Sequence, residues 1–310
     1  MASASSESSF PHPWSGWWLT RDPAEFAERG GDFLRADPAL HTVALSVIAA
    51  QLAQDAPSPG ASFGVWPDAE GDCAGYFFWT PPQLPYAVLP GPEAAHALVT
   101  LLGDALPDQP MTGVNGTEET AAVVAEAWRA RHPEGRAERI MAQRLFRLAD
   151  LTPPDPPPPG RARPAGKEDR ELVVRWFLEF ADDAHLGART TREQAAEWVD
   201  NRLSYQGVLL WEAEDGTPLS MAGVTRPAAG SVRVAPVYTP RELRGRGYAG
   251  AVTAEISRAA RDAGTPEILL FTDLANPTSN ALYQRLGYRP VRDFAVWEFR
   301  TGEVTATAAP

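Results

Sequence analysis

Hydrophobic positions in the C-terminal half recur first at helical and then at strand spacing. Over residues 167–184 and 191–203, apolar side chains such as Leu172, Trp176 and Phe180 fall four apart, the spacing that lines one face of an α-helix. Three short runs follow at 207–213, 219–226 and 231–239, separated by the turn-forming stretches EDGTP and PAAG. They read as an antiparallel meander. Helical periodicity returns in GAVTAEISRAARDAG, residues 250–264, and stops at Gly264. The apolar run EILLFTDL, 267–274, has the length of a buried strand; a helix at 277–286 and a strand at 291–299 complete the order ααβββαβαβ.

The N-terminal half starts the same way. Helices are expected at 23–35 and 38–54, strands at 62–66, 75–80 and 86–89, a helix at 92–106, a strand at 111–114, a helix at 118–131 and a strand at 140–148. The halves share an order of elements and little identity. The pattern therefore predicts two tandem copies of one α/β (α+β) architecture, a mixed, mostly antiparallel sheet flanked by helices. Between them lies LTPPDPPPPGRARPAG, where Pro156 to Pro159 lack amide donors and hold the chain extended. The expected division is a mobile Ser-rich tail over 1–13, a first domain over 14–150, a linker over 151–166, a second domain over 167–300 and a tail over 301–310. A length of 310 residues suits two cores.

A formal net charge of −12 opposes the positive field that attracts nucleic-acid phosphates and favours a cationic acceptor. No apolar run approaches the roughly 20 residues that cross a bilayer. The opening MASASSESSFPHPW lacks the basic and apolar regions of a signal peptide. A cytoplasmic monomer or homodimer with no membrane partner is expected. Cys73 is the single cysteine, which provides neither a disulfide pair nor a zinc ligand set, so no metal site is expected.

Candidate chemistry concentrates in VRVAPVYTPRELRGRGYAGAVTAEI, where a strand passes through a glycine-rich turn into a helix. Successive amides in such a turn point at an anion, and the helix dipole adds to the attraction. A plain tight turn with Gly245 and Gly247 at positive φ is the alternative reading; Arg244 and Arg246 beside it favour the anion. The absence of a following Gly-Lys-Ser/Thr excludes a Walker loop, and the glycine spacing fails the dinucleotide fingerprint.

With these residues in view, 234–300 closely resembles the GCN5-related N-acetyltransferases (GNAT). RGRGYA, Arg244 to Ala249, matches the family's cofactor-loop pattern R/Q-x-x-G-x-G/A, and LFTDLANPTSNALYQRLGYRPV matches its last strand, helix and strand. The resemblance implies an acetyl-coenzyme A-dependent N-acetyltransferase in which the amine of a small-molecule acceptor attacks the thioester directly. It implies that the amides of Arg244, Gly245, Arg246, Gly247, Tyr248 and Ala249 cradle the coenzyme A pyrophosphate. It also implies that Val237, Tyr238 and Thr239, on a bulged strand, pair with the pantetheine arm and that the strand splays from its neighbour. The Val237 amide is then the oxyanion donor. Tyr283 is the acid that protonates the departing thiolate, with a core aromatic as its alternative reading. Asn276 and Asn280 match positions that contact the cofactor or fix the helix, and Asn276 also suits a cap.

The general base is open. Relatives carry a glutamate in the strand before the loop, but SVRVAPVYTP has no carboxylate. Glu212, Asp273, Glu179 or a water chain are substitutes, each acid reading equally as a surface carboxylate; His185 falls where the family places substrate-binding loops. In the first half, the corresponding VLPGPEAAH lacks the loop pattern, and Pro90 and Pro92 remove two amides. That half is expected to be a degenerate copy without a cofactor. Its aromatic run Tyr76 to Trp79 reads as core or as a wall of an acceptor pocket. Other readings keep the fold and change the donor to a longer acyl-coenzyme A or an aminoacyl-tRNA, or make the chain a non-catalytic coenzyme A-binding module.

Overall fold

The computed structural model describes residues 16–54, 58–106, 109–184 and 190–301; the expected tail at 1–13, all but Thr301 of the tail at 301–310, and His185 lie outside them. The first repeat runs β1 (Trp18–Thr20), α1 (Pro23–Ala36), α2 (Thr42–Leu52), β2 (Ser62–Pro67), β3 (Cys73–Trp79), β4 (Tyr86–Val88), α3 (Pro92–Ala105), β5 (Gly113–Thr117), α4 (Glu118–Arg131) and β6 (Arg136–Leu148). The second runs β7 (Arg161–Pro164), α5 (Arg170–Asp183), α6 (Arg192–Leu203), β8 (Val208–Glu212), β9 (Pro218–Val224), β10 (Ser231–Tyr238), α7 (Tyr248–Asp262), β11 (Glu267–Asp273), α8 (Pro277–Arg285) and β12 (Tyr288–Arg300). Element for element the two orders are the same, so the mixed α/β architecture occurs twice.

The chain divides into two compact units that do not coincide with a cut at the proline-rich stretch. Unit 1 takes its described residues from 1–37, 47–143 and 292–310; unit 2 takes them from 38–46 and 144–291. In unit 1 the strand order is β1-β2-β3-β4-β5-β12. Its one parallel step joins β4 to β5, and Phe294–Glu298 of β12 runs antiparallel to β5. In unit 2 the order is β6-β11-β10-β9-β8-β7, with β10 and β11 parallel and the meander β7 to β10 antiparallel. Each unit is thus completed by the last strand of the other repeat. This differs from the contiguous domains 14–150 and 167–300, because a strand's partner is fixed by pairing at long sequence separation, which hydrophobic periodicity does not report.

Local boundaries differ for similar reasons. Residues 161–164, read as linker, form β7: RARP has no apolar alternation, but its backbone pairs with β8, and Arg161 and Arg163 both bridge to Glu212. Helix ends follow capping chemistry. Asp22 accepts from the Ala24 amide before α1, and Thr191 and Gln194 cap α6 reciprocally.

Unit 1 packs around Trp17, Phe77, Leu98, Val124, Trp128 and Phe299. Tyr76, Phe77, Phe78 and Trp79 are all buried there, so these aromatics are core. The lone Cys73 is half-buried and unpaired in disulfide terms, its thiol pushed up to about 11 chiefly by burial. In unit 2 the sheet separates two cores by strand parity. Trp211, Val232, Val234 and Leu270 pack with α7 and α8, whereas Val208, Leu210, Met221 and Tyr238 pack with α5 and α6.

Gly287, between α8 and β12, has φ +99°, and a Cβ there would lie 1.8 Å from the Asp150 carbonyl oxygen. Gly287→Ala is expected to destabilise the protein by about 1–3 kcal/mol from backbone strain alone, before the clash is added. Urea unfolding measures it.

Candidate active site

The site begins with an irregularity in β10. Val234 pairs with Val224 of β9 and Val237 with Ala222, so three steps on β10 oppose two on β9 and one residue is extra. Pro236, which has no amide hydrogen, falls inside this bulge. On the other edge, β10 pairs with β11 only over Ser231–Arg233 and Glu267–Leu269. Beyond that point the two strands no longer share a ladder, and the Val237 amide lies in the stretch that has parted from β11.

After Tyr238 the chain passes through Thr239, Pro240 and one 3₁₀ turn (Arg241–Leu243) into the exposed residues Arg244 to Gly247. Gly245 and Gly247 have φ +77° and +86°, and Gly247 is the N-cap of α7 with no side chain to bond the helix amides. The first backbone bond of α7 is donated by Ala251 to Gly247, which leaves the amides of Tyr248, Ala249 and Gly250 without intrahelical acceptors. Nothing lies within 4 Å of a Cβ at Gly245. Open space, free amides and the positive end of a helix coincide there.

Asp183, the last residue of α5, braces this loop. Its carboxylate accepts from Arg241 at 2.5 Å and also from Arg244, whose Nε donates to the Thr239 carbonyl. Hydrogen bonds from Arg241 and then Arg244 hold the Asp183 carboxyl below the usual carboxylate range, against its desolvation. The folded pKa being depressed, this stabilisation is fully present above the unfolded aspartate value of about 3.9 and is lost as pH falls through the folded value. Asp183→Asn is expected to lower the melting temperature at pH 7, with the difference from wild type shrinking once the pH drops below that range.

A cleft of about 390 Å³ opens beside the loop, lined by Arg175, Trp176, Glu179, Asp182, Tyr238 and Glu242 among others. The Tyr238 hydroxyl donates to Glu179 at 2.8 Å and is pushed up to about 12 by burial, and then by that bond. Ser220, fully buried on β9, donates to the Tyr238 carbonyl and shares a second hydrogen bond with Thr239. These contacts fix the end of β10 from beneath.

On α8, Asn276 accepts from the Ser279 amide and caps the helix, while the Asn280 side chain donates to the carbonyls of Asp273 and Asn276. Asn280 so ties the end of β11 to the first turn of α8. Tyr283 is 8% exposed, and its hydroxyl makes no hydrogen bond among the described residues. Burial pushes that hydroxyl up to about 12. Its ring meets Tyr288 edge to face at 6.1 Å, and the Tyr288 hydroxyl is in turn hydrogen-bonded to Ser257 at 2.7 Å.

Residues 171–288 match the sequence model of the Acetyltransferase (GNAT) family. This stretch is a GNAT domain. A mycothiol acetyltransferase of Paenarthrobacter aurescens (strain TC1) is 26% identical over 184 residues, covering 56% of this chain and 55% of that protein. The match thus spans about half the length of that relative. Among solved structures, a GCN5-related N-acetyltransferase from Sphaerobacter thermophilus shares the fold at 18% identity and TM-score 0.59, covering 92% of this chain and 95% of its own. A tandem GNAT protein from the clavulanic acid biosynthesis pathway does so at 13% identity and TM-score 0.56, covering 92% and 98%.

Within the GNAT domain the carboxylates differ in their commitments. Both oxygens of Glu212 are taken by Arg161 and Arg163, and those bonds hold it ionised. Asp273 accepts from the Ala275 amide at the end of β11. Glu179 alone of the three lines the cleft. Sequence reasoning missed Asp183 as a brace and Tyr238 as the partner of Glu179, since both contacts join residues more than 50 positions apart. Among the described residues no helix is long and apolar enough to cross a membrane, and no group of three His, Cys, Asp or Glu could hold a metal ion.

Proposed function

We propose that the GNAT domain is an acetyl-coenzyme A-dependent N-acetyltransferase acting on the amine of a small-molecule acceptor. The observation that carries this reading is the passage from a bulged, parted β10 through two left-handed glycines to the free amides of α7. Those residues fit coenzyme A: Gly245 to Ala249 offer amides and a dipole to a pyrophosphate, and the parted edge of Val237 to Thr239 offers backbone groups to an amide-bearing arm. The side chain of Arg244 is engaged by Asp183 and Thr239, and its amide donates to the Arg241 carbonyl at 3.3 Å, so Arg244 fixes the start of the loop and the cradle is left to the amides that follow it.

Bound acetyl-coenzyme A supplies an activated acyl carbonyl and a thiolate leaving group. The Val237 amide, fixed by the bulge, donates to the developing negative oxygen without reorganising. Tyr283 holds its proton at neutral pH, because burial favours the neutral phenol, and gives it to the departing sulfur. The acceptor enters by the acidic cleft, where Glu179 takes one proton of the ammonium; the second, shed by the nitrogen as the amide forms, restores the Tyr283 phenol. Asn276 and Asn280 hold α8, and with it Tyr283, against β11. A relative named a mycothiol acetyltransferase supports a small-molecule acceptor. In the first repeat the equivalent turn is Leu89-Pro90-Gly91-Pro92, and we assign it no coenzyme A.

Calorimetric titration with acetyl-coenzyme A and free coenzyme A tests the reading, with dissociation constants expected in the micromolar to millimolar range, roughly 1 μM–1 mM. Binding then justifies an amine screen read by thiol release; no binding at millimolar ligand sinks the proposal. Because β10 carries no carboxylate, binding without turnover on any amine would instead mark a non-catalytic coenzyme A module.

A further inference from the structure

The proline-rich stretch 151–160 does not hang free of unit 2. The Thr152 amide donates to the Leu286 carbonyl at 3.0 Å, and the Trp211 indole donates to the Pro159 carbonyl at 3.0 Å. Gly160, at φ +116°, then presses so closely on the Glu212 carbonyl that a Cβ would lie 2.3 Å from its oxygen. Between these anchors the chain crosses the first turn of α7. A Cβ at Gly250 would meet Pro154 Cγ at 3.5 Å and Leu282 Cδ1 at 3.1 Å; one at Gly247 would meet the Pro158 ring at 3.7 Å. Pro154 and Pro158, four apart, are half-buried, while Pro153, Pro156 and Pro157 are exposed. The strap therefore presents two rings inward, one beside the N-cap of α7 and one where α7 and α8 approach.

We infer that this strap is a wall of the coenzyme A site and grips the nucleotide end of the ligand, an inference that rests on the function proposed above. A pyrophosphate seated on the amides of Tyr248 and Ala249 has β10 on one side, where the pantetheine arm runs. The strap's contacts are with α7, α8 and the end of β8, so what it touches is the group on the other side of the pyrophosphate, the phosphorylated adenosine. Proline suits that place. Its ring offers an apolar face to ribose and purine, and Pro156 to Pro159 bring no amide hydrogens that would draw the phosphates off the helix. Anchoring at both ends means that the wall is present before the ligand arrives, which lowers the entropy lost on binding.

The test compares Pro158→Ala with Pro157→Ala, an exposed neighbour that leaves the chain equally loosened. Each is titrated with acetyl-coenzyme A and, by competition, with 3′-phosphoadenosine 5′-diphosphate, the nucleotide half alone. Pro158→Ala is expected to weaken both ligands by a similar factor of about ten, the order for two buried methylene groups, and Pro157→Ala to change neither. Trp211→Phe, which releases the Pro159 anchor and keeps a ring in the core, is expected to weaken the same two ligands. Unchanged or tighter binding by Pro158→Ala overturns the inference. So does equal weakening by both proline variants, which would mean stiffness rather than contact, or weakening of acetyl-coenzyme A without the nucleotide half. Wild-type binding of acetyl-coenzyme A judges the proposed function separately: if it holds while the strap variants are silent, only the strap inference falls.

Discussion

Gly247→Glu is expected to weaken acetyl-coenzyme A binding by at least about a hundredfold, the factor given by losing roughly 3 kcal/mol of charge-assisted hydrogen bonding. The carboxylate would enter at the N-cap of α7, on the amides assigned to the pyrophosphate, and would compete with the ligand for the positive end of the helix. Strain also acts, since φ is +86° there and a side chain in the left-handed region costs about 1–2 kcal/mol. Gly247→Ala separates the two causes. It carries the same strain, and its methyl has room, the nearest strap atoms lying 3.7 Å away. Calorimetry should therefore show a modest loss for alanine and near-complete loss for glutamate. Equal affinities for the two variants would mean that no anion sits at this turn.

Tyr283→Phe should lower kcat by about two to three orders of magnitude, within the range for removing a positioned general acid, and leave the dissociation constant of acetyl-coenzyme A as in wild type. The ring is buried and its hydroxyl has no hydrogen-bond partner among the described residues, so phenylalanine fills the same volume without orphaning another polar group. The hydroxyl is pushed up to about 12, so it stays protonated across the neutral range, and the ratio of wild-type to variant kcat should be flat from about pH 6 to 9. An unchanged kcat would remove Tyr283 from the mechanism and leave it as a core aromatic packed on Tyr288.

The order of elements was legible in the sequence because it rests on local periodicity, and helix starts were legible where a cap such as Thr191 marked them. The RGRGYA turn was legible because glycines at positive φ and a strand-turn-helix passage leave a local trace. What depended on distant partners was not. The exchange of β6 and β12, the pairing of RARP with β8 and the brace of Asp183 on Arg241 and Arg244 each join residues far apart in the chain. Apolar spacing carries no information about which edge a strand will find. The commitment of Glu212 to two arginines likewise became visible only once β7 was seen to be a strand.

The strand exchange bears on how this chain is made. Folding during synthesis ordinarily proceeds from the N-terminus, one domain at a time. Here the stretch Phe294–Glu298 that completes unit 1 on β5 is synthesised only after the elements from β7 to α8 have been made. Until that stretch has been translated, β5 presents an open edge of unpaired backbone groups, the kind of surface on which nascent chains associate with one another. A ribosome that stopped after residue 291 would release a chain holding every residue assigned here to acetyl transfer, yet lacking the strand that closes the other unit.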